Sequence, residues 1–207
     1  MKNSKSQLDQ DLWVLEKTNN KRNGFFIEAG ACDGIFLSNT YLLEKEYNWN
    51  GICCEPSKNY HKDLRKNRDC NISHLLLYDE SGETKEFHDA GEFSGVKESL
   101  NEKDELYRAI LSQSHYLVET ISLNNLLDKY GSPRNIDYIS LDTEGSERRI
   151  LSTFDFNKWD VFSWSIEHNT ARRYDGGAYL DELILFMRER GYEHELNKWD
   201  VYFFKAD

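Results

Sequence analysis

The chain has 207 residues, 39% hydrophobic and 30% charged, with only 2 Pro and 12 Gly. That length and balance fit one domain with a full core and exclude collagen-like, low-complexity and disordered classes. The 37 acidic side chains against 26 basic ones give a formal charge of −11, a sign that repels duplex nucleic acid and anionic membranes.

In chain order, Leu8, Leu12 and Leu15 at helical spacing, with Trp13 beside them, predict a helix over Leu8–Lys17. Gly24 interrupts, and Phe25-Phe26-Ile27 predicts a short buried strand. A helix over Leu37–Tyr47 leads to a second strand, Gly51–Cys54, and then to a helix over Ser57–Lys66 with Ser57 as its N-cap. Ile72–Tyr78 reads as one strand, Asp79–Glu83 as a polar turn and Lys85–His88 as a short extended piece. Gly91–Lys97 reads as a loop and Glu98–Ser112 as a charged helix or flap. Next come a strand at Val118–Ser122 and a helix at Leu123–Tyr130, ended by Gly131-Ser132-Pro133. A strong strand at Ile136–Leu141 precedes a helix at Gly145–Thr153. A strand at Val161–Glu167 precedes a helix at Ala178–Arg190, which Gly191 stops. Tyr192–Leu196 and Trp199–Lys205 close the chain as a hairpin around Asn197-Lys198.

Strands alternating with helices imply right-handed crossovers and an α/β doubly wound domain, its mostly parallel sheet covered on both faces. The closing hairpin is expected to add an antiparallel edge. No apolar run approaches the roughly 18 residues of a membrane span, and the start MKNSKSQLDQ has no apolar signal region, so a cytoplasmic protein is expected. The cysteines Cys32, Cys53, Cys54 and Cys70 form no CxxC pair and are expected to be reduced thiols.

Open α/β sheets bind ligands outside the carboxyl ends of their strands. The first strand ends in Glu28-Ala29-Gly30-Ala31-Cys32-Asp33-Gly34. Its glycines allow a sharp turn and close backbone approach, but the middle glycine of G-x-G-x-x-G is missing and Asp33 would repel a pyrophosphate. The second strand ends in Glu55-Pro56, 21 residues beyond Gly34, a separation at which an acid accepts both hydroxyls of a ribose. Asp142-Thr143-Glu144-Gly145-Ser146-Glu147 follows a later strand. There a carboxylate can anchor an ammonium group or take a hydroxyl proton, while Thr143 or Glu144 can equally cap the helix and Glu147 favour its positive end. Glu167-His168-Asn169 ends the next strand, with His168 the best-placed imidazole for a general base. Asp142, Glu167, His168 and Asn169 also offer oxygen and nitrogen ligands of the kind divalent metals take, but their spacing is scattered and a metal is not expected. Arg172 and Arg173 sit in a loop that either clamps an acidic or sugar-like substrate or is simply solvated.

As a set, GFFIEAGACDGIFLSNTYLLEKEYNWNGICCEPS, ETISLNNLLDKYG, IDYISLDTEGSERRIL, FSWSIEHN and GYEHELNKWDVYFFK resemble the FkbM family of S-adenosylmethionine-dependent methyltransferases, from about Leu8 to Lys205. The resemblance implies a class I methyltransferase fold, a Rossmann-like seven-stranded sheet whose last strand is antiparallel. It implies one methyltransferase domain over residues 1–207, with residues 1–23 as a helical extension and residues 91–114 as a variable substrate-side segment. Glu28, Gly30 and Gly34 would border the methionine part of the cofactor, with Cys32, Asp33, Ser38 and Pro56 in the same set, and Glu55 would hold the ribose. Asp79, Ser94 and Gly95 are the expected adenine side and cleft wall. Asp142 and Glu144 would lie by the methyl-transfer centre, with His168 or Asp142 as base. Glu144, His168, Asn169, Arg172 and Arg173 would face the substrate.

The leading expectation is therefore O-methylation of a hydroxyl on a sugar, glycan or small metabolite by S-adenosylmethionine, leaving S-adenosylhomocysteine. N-methylation of an amine is the alternative within the same class. A nucleotide-binding oxidoreductase and a silent binding module of the same fold are the alternatives outside it. Neither nucleic acid nor a membrane is an expected partner, and a homo-oligomer is compatible with the sequence.

Overall fold

The computed structural model describes residues 3–99, 114–168 and 176–206. Its main sheet has seven strands: β1 (Phe25–Ala29), β2 (Asn50–Cys54), β3 (Asn71–Ser73), β8 (Asn135–Leu141), β9 (Asp160–Glu167), β10 (Tyr192–Leu196) and β11 (Asp200–Lys205). Their order is β10-β11-β9-β8-β1-β2-β3. The strands from β9 to β3 run parallel, while β11 is antiparallel to both β9 and β10. The expected antiparallel last strand is present, but it lies inside the sheet, with β10 as the edge. Its sequence explains the placement: Val201 and Phe203 are fully buried, whereas Glu193, Glu195 and Leu196 of β10 are exposed.

Strict side-chain alternation builds a core on each face. In β1, Phe26 joins α1 (Gln10–Lys17), α2 (Tyr41–Tyr47) and α3 (His61–Asn67), while Ile27 and Ala29 join the opposite cluster. That second cluster includes side chains of α4 (Leu123–Lys129), α5 (Glu147–Thr153) and α6 (Ala178–Arg188). Cys53 and Cys54 part between the two clusters in the same way.

Several predicted elements change; the expected Gly91–Lys97 loop, for one, contains a two-residue strand at Gly95–Val96. The helix expected from Leu37 begins at Tyr41, because Leu37 is left-handed (φ 55°) and Ser38, Asn39 and Thr40 turn their polar groups to Glu28. The helix expected from Ser57 begins at His61, and Ser57 is no N-cap: its hydroxyl donates to Asp89 Oδ1 at 2.8 Å. The single strand expected over Ile72–Tyr78 breaks after Ser73. Its second half, β4 (Leu76–Tyr78), leaves the main sheet for a smaller one ordered β4-β7-β5-β6, with β5 at Thr84–Asp89, β6 at Gly95–Val96 and β7 at Ser114–Ser122. Most of the expected Glu98–Ser112 helix lies outside the described residues. No helix among the described residues is long and apolar enough to cross a membrane.

Candidate active site

The carboxyl ends of β1, β2 and β8 open into a cleft, the position at which open α/β sheets hold their ligands. It lies beside the β1–β8 boundary, where the strand order reverses direction. The small sheet supplies its far wall through Leu76, Leu77, Phe87 and Gly95. The described residues lining it include Glu28, Glu55, Glu92, Asp142 and Glu144, and no described Lys, Arg or His is among them.

Gly30 is required where it stands. Its φ is +85°, and a Cβ there would meet the carbonyl oxygen of Asp142 at 2.2 Å. The close approach lets β1 and β8 stay paired into their loops, with Asp142 N–H donating to Ala29 O at 3.2 Å. Gly34 (φ +84°) is held by packing against Leu64 and Arg68, away from the cleft lining. Asp33 is also outside the lining, and its Oδ1 accepts the N–H groups of Ile35 and Phe36 at 2.8 and 2.7 Å to fix the turn.

Glu55 closes the next turn. It is 4% exposed, and its two oxygens accept N–H groups of Ser57 and Cys32, both at 2.8 Å. Burial pushes its carboxyl up to about 7, against the pull of those two N–H groups. Pro56 follows it in the lining. The Cys32 side chain also lines the cleft, and burial beside Glu55 pushes its thiol up, so it stays neutral.

Glu28 borders the cleft, yet most of its carboxylate is spoken for. It accepts from Asn39 N–H at 2.6 Å, Thr40 hydroxyl at 2.6 Å, Ser38 hydroxyl at 3.0 Å and the Arg68 guanidinium at 3.0 Å. Arg68 also pairs with Glu44 at 2.7 Å and is 3% exposed. Ser38 therefore serves Glu28 and does not line the cleft. Sequence reasoning missed Arg68, since nothing in a run of surface-like charges marks the one that is buried. It also missed Asn39, which lines the cleft. The Asn39 amide donates to Ser140 Oγ at 2.9 Å, leaving its buried carbonyl oxygen with no partner among the described residues.

Beyond β8 the loop wraps around Glu147, whose Oε1 accepts from Thr143 N–H and Gly145 N–H at 3.0 Å each. This leaves Asp142 and Glu144 on the cleft side, with Glu144 left-handed (φ 52°). Asp142, Glu144 and Glu167 each bring a carboxylate oxygen within 4.8 Å of the others. Burial, then Glu144, pushes the Asp142 carboxyl well up; burial, then Asp142, does the same to Glu167. Carboxyls this close disfavour one another's ionisation, which adds to the effect of burial.

Several expectations shift. His168 is buried but absent from the cleft lining; its N–H donates to Trp199 O at 2.8 Å and its Nε2 lies 3.4 Å from Asn197 O, toward the β10–β11 turn. The direction of the ring is set by strand alternation, which separates it from Glu167. Asp79 is not in the lining and faces Arg149 at 3.5 Å. Ser94 and Gly95 do line the cleft. Asn169, Arg172 and Arg173 lie outside the described residues.

A sheet of this order, with an antiparallel strand inserted beside its edge and an acid-rich cleft at the carboxyl ends, is that of a class I methyltransferase. Residues 28–194 match the methyltransferase FkbM domain, and the chain belongs to that family of S-adenosylmethionine-dependent enzymes. Solved structures similar to it include precorrin-6y C5,15-methyltransferase from Geobacter metallireducens GS-15, at 12% identity over 95% of this chain and 87% of that one (TM-score 0.49). The N-terminal domain of human METTL16 in complex with SAH is 12% identical over 95% and 68% of the two chains (TM-score 0.47). A SAM-dependent methyltransferase from Aquifex aeolicus is 13% identical over 95% and 88% (TM-score 0.44). No curated protein matches the sequence.

Proposed function

We propose that this methyltransferase modifies a hydroxyl group of a sugar or other small, uncharged or cationic metabolite, with Asp142 as the base. The observation that carries this reading is the lining: five acidic residues and, among the described residues, no cationic one. Such a cleft favours a cation and disfavours phosphate-bearing ligands. The residues fit S-adenosylmethionine, which carries a sulfonium, a ribose and no phosphate. Glu55 keeps lone pairs free of its two N–H donors for the ribose hydroxyls. The unpartnered Asn39 carbonyl oxygen and the cleft edge of Glu28 suit the ammonium of the methionine part. The apolar wall of Leu76, Leu77 and Phe87 suits the adenine, a role the sequence had suggested for Asp79.

When bound, the cofactor supplies an electrophilic methyl group. The chain's part is to orient the acceptor, exclude water and take the hydroxyl proton. Orientation contributes up to about 7–11 kcal/mol in favourable intramolecular cases. Asp142, in its ionised form, accepts the proton, and Glu144 and Glu167 let the released charge be shared across the group. His168, set toward the β10–β11 turn, is not assigned this role. The three carboxyl groups also suit an amine acceptor, and product analysis separates the two readings.

The test has two arms. Calorimetry of the purified chain is expected to show binding of S-adenosylhomocysteine and none of NAD. Incubation with methyl-labelled cofactor and panels of sugars and amines, read by tandem mass spectrometry, is expected to place the label on oxygen. Label found only on nitrogen overturns the hydroxyl assignment, and NAD binding in the cleft overturns the cofactor assignment.

A further inference from the structure

We propose that Glu86, His88 and His115 form a zinc site on the face of the small sheet that points away from the cleft. Glu86 and His88 are two residues apart on β5 and so share one face, while Phe87 between them turns to the cleft wall. His115 of β7 stands directly across from His88 in the antiparallel register, which puts the two imidazoles side by side, their centroids 5.4 Å apart. One ligand atom from each of the three side chains lies within 4.8 Å of the others.

Two further observations point to a ligand. His88 is 3% exposed, yet among the described residues neither of its ring nitrogens makes a hydrogen bond. A buried imidazole left so is costly, and such groups are rare in folded proteins. Its Nε2 also lies 3.0 Å from Glu86 Oε1, an ion pair when the ring is protonated and, when it is neutral, two ligand atoms close enough to share one ion.

The donor set selects the ion. Two imidazoles and one carboxylate suit zinc, whereas magnesium and calcium prefer oxygen alone. Three protein ligands leave a fourth tetrahedral position for water, and the exposed His115 gives that position access to solvent. The backbone beneath is preorganised, since β5 is bonded to β6 on one side and β7 on the other. An ion tying β5 to β7 would brace the strand that carries Phe87 into the cleft wall. The site does not depend on the assignment of the methyl acceptor.

Zinc and cobalt(II) are the probes. The metal-stripped full chain, dialysed against zinc, is expected to retain one equivalent, and cobalt(II) in its place is expected to give the intense visible bands of a four-coordinate centre. His115→Ala, at an exposed position that tolerates the change, and Glu86→Gln should each weaken zinc binding at least about tenfold. His88→Ala should abolish it, and circular dichroism checks that it folds; if it does not, the other two variants decide. Failure of the wild type to retain zinc, or retention by His115→Ala equal to wild type, overturns the proposal, the latter because the ion would then sit elsewhere, for example on the thiols.

Discussion

The backbone N–H of Cys32 donates to Glu55 Oε2 at 2.8 Å, so the loop after β1 is fastened to the carboxylate that ends β2. The two turns that border the cleft therefore form one unit, and Glu55 is a brace as well as the proposed ribose acceptor. Glu55→Ala is expected to weaken S-adenosylhomocysteine binding by about 1–3 kcal/mol, the range for polar groups left unpaired. Titration calorimetry checks it, and an unchanged affinity removes Glu55 from the ribose site.

Burial gives Glu55 a pH signature. Its carboxyl is raised from an ordinary 4.5 to about 7, so between those values the folded chain binds more protons than the unfolded one. Stability therefore falls as pH rises through that window, by about 3 kcal/mol for this group, and is level outside it. Ligand affinity moves the opposite way, because the ionised carboxylate is the better acceptor for ribose hydroxyls. Urea midpoints measured across the window should show a slope that Glu55→Gln flattens.

The Glu28–Arg68 pair, at 3.0 Å with both side chains buried, holds the charge at the end of β1. Removing the cation strands Glu28. Arg68→Met is expected to cost about 3–5 kcal/mol in urea unfolding, the usual penalty for breaking one side of a buried pair. A loss below about 1 kcal/mol would show that Glu28 reaches water, because surface pairs are worth no more than that.

Two glycines with nearly the same φ separate strain from collision. A Cβ at Gly82 (φ +82°) would meet nothing within 4 Å among the described residues, whereas one at Gly30 (φ +85°) would meet Asp142 O at 2.2 Å. Gly82→Ala should cost only the backbone strain, about 1–2 kcal/mol. Gly30→Ala should cost more and also spread β1 from β8, abolishing cofactor binding. Equal losses in the two variants would count against this packing.

Turnover tests the base. Asp142→Asn is expected to lower kcat by about 10²–10⁴-fold, the usual contribution of a general base. His168→Gln should leave kcat within a few-fold of wild type once the folded fraction is matched. Since burial and Glu144 raise the Asp142 carboxyl, kcat in the wild type should climb as pH rises through that raised range. A kcat that declines over the same range would assign the acid, not the base, to this group.

The amino-acid order by itself determined the alternation of strands and helices, because buried strands such as Phe25–Ala29 and Ile136–Leu141 announce themselves through local apolar runs. It also placed Glu28, Glu55 and Asp142 at strand ends, where a doubly wound sheet gathers its ligand groups. Side-chain direction and long-range partners were beyond it. Only the tertiary structure decided that β11 lies within the sheet, that Ile72–Tyr78 divides between two sheets, and that Arg68 meets Glu28 from 40 residues away. Hydrophobic period is a property of neighbours along the chain, while the cancelling of a buried charge depends on which distant group folding brings against it.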